Sequence, residues 1–225
     1  MKTDDIWIPF TFEDRKPIIL NDNFLFIPRN YTSHDEFKFS SFAEIFKNNN
    51  PNYVEYCSGN GQWICQKAEE FSNVNWVAVE RRFDRAKKIW TRAKKANLSN
   101  VFVVFGDAQI FSEKYLSEDS INRVFINFPD PWPKQKHAKN RLIQHDFIGS
   151  VSRTLKPNEN MIIATDHDDY SSQIINTFLN HPSWVSSFNE PFFISKWPEY
   201  GGSYFNDLFS DMGKNIFYMK FQNKK

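Results

Sequence analysis

Asp130 stands between two prolines in the run Asn127-Phe128-Pro129-Asp130-Pro131-Trp132-Pro133-Lys134. The prolines restrict the backbone on either side of the carboxylate, a rigidity that an ordinary surface turn seldom needs. Upstream, Glu55-Tyr56-Cys57-Ser58-Gly59-Asn60-Gly61 puts two glycines in one turn, where a backbone can approach a ligand closely. Taken alone, a Gly-x-Gly turn is equally well a tight loop. Glu80 closes an apolar run at 76–80. An acid there can accept both hydroxyls of a ribose, or it is a solvated partner of Arg81 and Arg82. Asp107, between Gly106 and Ala108, either accepts from the exocyclic amine of an adenine or caps the helix that follows.

These residues need elements that bring them to one edge, and the chain after Pro51 alternates short β-rich runs with helical patterns. Runs at 53–57, 76–80, 101–105, 124–128 and 161–165 read as buried strands, with helices at 62–71, 83–96, 142–155 and 170–179. That alternation is the signature of βαβ units around a parallel sheet. Runs at 184–188 and 216–221, joined only by a loop, predict an antiparallel pair at the sheet edge. The expected fold is therefore α/β: a Rossmann-like class I methyltransferase layout, a seven-stranded, mostly parallel sheet with an antiparallel C-terminal strand pair. In such sheets ligands sit beyond the carboxyl ends of the strands, where the carboxylates fall. Residues 1–50 read as an irregular N-terminal arm with a helix at 37–46, and residues 51–225 as a single domain.

Composition excludes several classes. Lys and Arg total 28 against 27 Asp and Glu, a net charge of +1, so a nucleic-acid partner must be held by a local basic face. Two such faces are present: Lys134, Lys136, His137, Lys139 and Arg141 follow the Asp130 run, and Arg81, Arg82, Arg85, Lys87, Lys88, Arg92, Lys94 and Lys95 line the helix at 83–96. A basic run is most often a solvated face, but both border the sheet end that carries the carboxylates. Cys57 and Cys65 are the only cysteines, too few for a disulfide framework or a closed zinc site, and no metal is expected. The 24 phenylalanines read as core filling. Residues 1–12 lack the basic start and apolar run of a signal peptide, and no stretch approaches a membrane span. A cytoplasmic setting is expected, as monomer or homodimer.

The Asp130 run, continued by Lys136-His137-Ala138-Lys139 and Arg141-Leu142, resembles the signature of the bacterial tRNA (guanine-N7)-methyltransferase family. The likeness extends upstream through the Glu55 turn, Glu80 and Asp107. Downstream it takes in Thr165-Asp166, the tail Ser203-Tyr204-Phe205, Phe209 and Gly213, so that it covers most of the chain from about Phe42. The resemblance implies S-adenosylmethionine as cofactor, held by Glu55, Gly59, Gly61, Glu80, Asp107 and Asp130, with Asp130 also catalytic. It implies tRNA as partner, with Lys134, Asp166, Ser203, Tyr204, Phe205 and Asn206 on substrate-contacting positions, and a variable-loop guanine, position 46 of the tRNA, as methyl acceptor. Three positions depart from the pattern: Cys57 replaces the first motif glycine, Asn206 a Glu, and Asn140 an Arg. Cys57 is expected to fit if its φ is negative.

Guanine N7 carries a lone pair and no proton, so its methylation is a direct displacement that needs positioning rather than a base. The guanine Watson-Crick edge offers donors, for which Asp166 is an apt reader, and Trp132 or Tyr204 can stack on an extruded base or simply pack in a loop. Two other readings stand beside this one. Asn/Asp-Pro-Pro-aromatic motifs occur in methyltransferases of other nucleic-acid bases, although here Asp130 separates the prolines. A catalytically silent RNA-binding protein of the same fold is the other, motivated by Cys57 and Asn206.

Overall fold

The alternating pattern is realised as nine strands and six α-helices among the described residues, 17–20, 23–28, 31–200 and 212–225, of the computed structural model. They divide into two compact units, Met1–Ser117 and Glu118–Lys225.

In the first unit the elements are β1 (Ile18–Leu20), β2 (Phe24–Phe26), α1 (Phe42–Phe46), β3 (Asn52–Tyr56), α2 (Gln62–Glu70), β4 (Asn75–Glu80), α3 (Phe83–Lys95), β5 (Val101–Phe105) and the short α4 (Ala108–Ile110), which runs into a π-helical turn at Phe111–Tyr115. The strand order is β1-β2-β5-β4-β3, parallel throughout except for the β1–β2 pair. Every residue of β4 is buried, as expected of a strand covered on both faces. In α3, Ala86, Ile89, Trp90 and Ala93 form the buried stripe of an amphipathic helix. The phenylalanines fill space here: Phe39 and Phe42 meet edge-to-face at 5.7 Å, and Phe39, Phe42 and Phe46 all pack on Phe102 at 6.0–6.4 Å.

The second unit contains β6 (Ile121–Asn127), α5 (His145–Thr154), β7 (Leu155–Thr165), α6 (Asp168–Leu179), β8 (Trp184–Ser186) and β9 (Phe217–Asn223), with a 3-10 segment at Gln135–Asn140. Strand order is β6-β7-β9-β8: β6 and β7 are parallel, and β9 lies antiparallel to both β7 and β8. Phe221 of β9 stacks on Phe178 of α6, which meets Trp184 at 5.1 Å. Buried Asn223 accepts from Ser152 Oγ and donates to the Ser152 and Leu155 carbonyls at 2.9 Å, tying β9 to α5.

The α/β class and the antiparallel C-terminal strands agree with expectation, but the strand count is nine rather than seven. The extra strands, β1 and β2, lie in the segment expected to be irregular: the β2 residues pair with Val103, Val104 and Phe105 of β5. The helix expected at 37–46 is confined to Phe42–Phe46 because Ser41 caps it. The Ser41 hydroxyl accepts from Glu44 N, and the Glu44 carboxylate accepts from Ser41 N at 2.8 Å, a reciprocal box that fixes the helix start. Helix α5 begins at His145, not at 142, since 142–144 belong to the loop described below. No helix among the described residues is long and apolar enough to cross a membrane.

Candidate active site

In the first unit β3 delivers Glu55, which is buried, into the glycine turn. Three residues of the turn have left-handed φ: Cys57 at 60°, Gly59 at 56° and Gly61 at 73°. Glycine adopts that region freely, whereas an L-residue there costs about 1–2 kcal/mol. Cys57 was expected to fit with negative φ. It instead carries the strain that a glycine at this position would avoid. The turn is held by Ser58, whose backbone N donates to Val79 O on β4 and whose hydroxyl donates to Glu55 O at 2.7 Å.

Gly61 is needed for space as well as for φ. A Cβ at this position would lie 2.8 Å from Ile89 Cγ1 of α3. Gly61→Ala is expected to lower stability by about 2–4 kcal/mol, the combined effect of left-handed strain and overpacking. A urea midpoint within error of the parent protein would show that α3 yields at no cost.

Glu80 ends β4 buried, and it is a junction. Its Oε2 accepts from Gly59 N at 3.0 Å and its Oε1 from Arg82 N at 2.9 Å. Burial pushes its carboxyl above the ordinary range, opposed by the backbone N–H of Arg82 and the charge of Arg85. Its paired role is thus to the glycine turn, not to the side chains of Arg81 and Arg82. The Arg82 guanidinium pairs with Asp84 instead. Asp107 takes the capping role: its Oδ1 accepts from Gln109 N at 2.9 Å and Ile110 N at 3.2 Å. Arg81, just before α3, and Lys88, Arg92 and Lys95 on it are exposed, while Lys87 and Lys94 lie over the rings of Phe83 and Trp90.

In the second unit the Asp130 loop leaves β6 through Phe128, whose N donates to Ala164 O of β7 at 2.8 Å. Phe128 and Trp132 are left-handed, at φ 49° and 42°, so the loop holds two unfavourable backbone conformations within five residues. Each costs on the order of 1 kcal/mol or more and persists only where surroundings over-determine it. Pro129 is buried and Asp130 exposed. The Asp130 carboxylate accepts only a long bond from Trp132 N, 3.3 Å, among the contacts described. Trp132 meets His137 edge-to-face at 5.9 Å.

Lys134, Lys136 and Lys139 are exposed, as a phosphate-contacting face requires, but Arg141 is only 5% exposed. Its Nε donates to Pro131 O at 2.8 Å, its Nη1 to Gln173 Oε1 at 2.7 Å, and its guanidinium lies over the Tyr170 ring at 5.0 Å. Arg141 is therefore withdrawn from the basic face to which its sequence neighbours assign it. Asp166, just after β7, is paired with Lys214. Ser203, Tyr204, Phe205 and Asn206 lie outside the described residues.

Sequence reasoning missed Lys214, Tyr170 and Gln173. The latter two sit three residues apart on α6, where a helix pattern reads them as core and surface. Lys214 is 48 residues from Asp166, and no local signal joins them. Among the described residues no group of three or more His, Cys, Asp or Glu side chains is placed to hold a metal ion.

Residues 49–197 match a family model described as "Putative methyltransferase" (Methyltransf_4). The chain is 41% identical over 224 residues to a tRNA (guanine-N(7)-)-methyltransferase of Chlamydia felis, covering 100% of this chain and 98% of that one. It is 39% identical over 224 residues to a protein of the same name from Chlamydia abortus, covering 100% and 99%. Among solved structures, the 16S rRNA methyltransferase KamB matches with a TM-score of 0.60 at 13% identity, covering 84% of this chain and 96% of that one. The antibiotic-resistance methyltransferase Kmr matches at 0.57 and 11% identity, covering 81% and 91%. At such identities the structures speak for the fold, that of class I methyltransferases. The sequence likeness is another matter: it runs the full length of both partners, and the chain belongs to the tRNA (guanine-N(7)-)-methyltransferase family.

Proposed function

We propose that the protein transfers a methyl group from S-adenosylmethionine to N7 of the variable-loop guanine of tRNA. The observation that carries this is the full-length identity of 39–41% with relatives named tRNA (guanine-N(7)-)-methyltransferase. Residues 51–225 are assigned to the methyltransferase domain and 1–50 to an arm, in a cytoplasmic setting where tRNA is available.

Acceptor chemistry supports the cofactor assignment. Each Glu80 oxygen accepts one backbone N–H, and an ionised carboxylate has about four acceptor sites, so capacity for two ribose hydroxyls remains. Asp107 commits one oxygen to its cap and keeps the other for an adenine amine. Glu55, Gly59, Gly61 and Asp130 complete the assigned cofactor set. Bound S-adenosylmethionine supplies an electrophilic methyl on a sulfonium. Asp130 is assigned to orient the guanine and to stabilise the positive charge that passes to its ring, acting electrostatically because N7 has no proton to lose. Asp166 is assigned to the donor edge of the guanine, with Lys134 and the tail residues Ser203, Tyr204, Phe205 and Asn206 on the RNA.

Incubation of purified tRNA with enzyme and S-adenosylmethionine, followed by nucleoside mass spectrometry, should yield 7-methylguanosine, and none when the variable-loop guanine is replaced. A methylated adenine or cytosine would move the activity to another base, and binding without methylation would leave an RNA-binding protein.

The basic face has its own expected result. Changing Lys134, Lys136 and Lys139 together to Ala should weaken tRNA binding and reduce the slope of log K against log salt by roughly 2 to 3, since each phosphate contact contributes about 0.7–0.9. An unchanged slope would make these lysines a solvated face only.

A further inference from the structure

Arg141 is buried although it sits in a run of cations, and its partners form a closed arrangement. The guanidinium carries five N–H donors in a fixed fork and stacks well on aromatic faces. Here it donates to the Pro131 carbonyl and to Gln173 while lying over Tyr170. The same two α6 side chains hold the far end of the loop: Gln173 Nε2 donates to Ile143 O at 2.9 Å, and the Tyr170 hydroxyl accepts from Ile143 N at 3.2 Å. Gln144 Nε2 donates to Ala138 O and Arg141 O, and Arg141 N donates to Ala138 O. Both ends of the stretch from Pro131 to Ile143 are thus fastened to α6, the first through Arg141 and the second directly.

The carbonyl that Arg141 grips belongs to the residue between Asp130 and left-handed Trp132. Asp130 itself is exposed and, among the described residues, accepts only the long Trp132 bond. Its own side chain therefore does little to fix its aim, which must come from the backbone around it. We infer that Arg141 is a positioning residue for Asp130: through the Pro131 carbonyl, and braced by Tyr170 and Gln173, it fixes the direction of the carboxylate, and it does not contact RNA. This rests on the methyl-transfer reading above.

Positioning and RNA contact leave different kinetic signatures. A misplacement of about 1 Å at a reacting centre can slow the reaction by roughly a hundredfold, whereas a lost phosphate contact weakens binding and its salt dependence. Arg141→Lys keeps the charge and loses the fork and the stacking plane. The expected result is a tenfold to hundredfold fall in single-turnover rate constant at saturating tRNA and cofactor, with KM for tRNA and the salt slope unchanged. Gln173→Ala removes the brace without touching a charge and should slow the same step by a smaller factor. The double variant should be less than multiplicative, as residues sharing one network are. Gln173→Ala alone keeps the inference testable if Arg141→Lys folds poorly.

Three outcomes overturn it. A raised KM with a shallower salt slope and intact rate constant would make Arg141 an RNA contact. A lowered thermal midpoint with an unchanged rate per folded molecule would make it a fold residue only. Multiplicative effects of the two substitutions would dissolve the network. Failure of the underlying reading looks different, since the unsubstituted protein would then methylate no guanine at all.

Discussion

Asp130→Asn should slow single-turnover methyl transfer by roughly a hundredfold or more, the scale seen when one preorganised stabilising group is removed. The substitution is close to a pure change of charge. Asp130 is exposed, and the one hydrogen bond described for it comes from Trp132 N, which an amide oxygen accepts as well. Pro129, Pro131 and the Arg141 bond to Pro131 O are untouched, so the thermal midpoint should stay within a degree or so. Because guanine N7 is attacked as a free lone pair, the residual rate should show no new pH dependence from a missing base. A near-wild-type rate with both substrates saturating would reduce Asp130 to a structural role and leave catalysis to positioning alone.

Glu80→Ala should raise the dissociation constant for S-adenosylmethionine by about ten- to a hundredfold. Hydrogen bonds to charged groups contribute about 1.5–3 kcal/mol, and the substitution also frees the backbone N–H groups of Gly59 and Arg82 that now point at the carboxylate. Affinity should also depend on pH. Burial raises the Glu80 carboxyl, so on acidification it takes up a proton earlier than an ordinary Glu and loses acceptor capacity, and binding weakens with it. For the fold the sign is opposite. A carboxyl whose folded-state pKa is raised contributes stability below its unfolded value, and that contribution is lost as pH rises through the folded one. Once ionised, the buried group is held against the interest of the fold, which is typical of residues kept for binding. Calorimetric titration of the parent and Ala proteins at pH 7.5 and 5 decides both points, and equal affinities for the two proteins would remove the ribose assignment.

What the sequence made legible is what local pattern encodes. The run at 76–80, apolar up to its final Glu80, and the wholly apolar run at 101–105 are strands within one residue of the reading because interior parallel strands need no polar face. The β1 and β2 strands, three residues each, are too short to show a period. β2 takes its strand character from pairing with β5, and β1 in turn from pairing with β2, which only the folded chain supplies. At the candidate site, the glycine turn and the Pro-Asp-Pro run announce themselves through backbone constraint. Arg141 does not, since nothing in Lys136-His137-Ala138-Lys139-Asn140-Arg141 says that the last cation turns inward. Cys57 was misjudged for a related reason: side-chain size is written in the sequence, and the sign of φ is not.

The position of β9 bears on how the chain is made. It follows β8 in sequence yet lies between β7 and β8 in the sheet. A ribosome delivers Trp184–Ser186 first, and residues 187–216 must be synthesised before a neighbouring strand exists. At about 5–20 residues per second the delay amounts to seconds, long compared with the microseconds in which local structure forms. Trp184 has a shelter meanwhile, because its contact with Phe178 of α6 is local in sequence. When Phe217–Asn223 emerges it must enter the gap, pair on both sides at once and lay Phe221 on Phe178. This half of the protein therefore closes from its flanks toward the middle, with Phe217–Asn223 as the keystone.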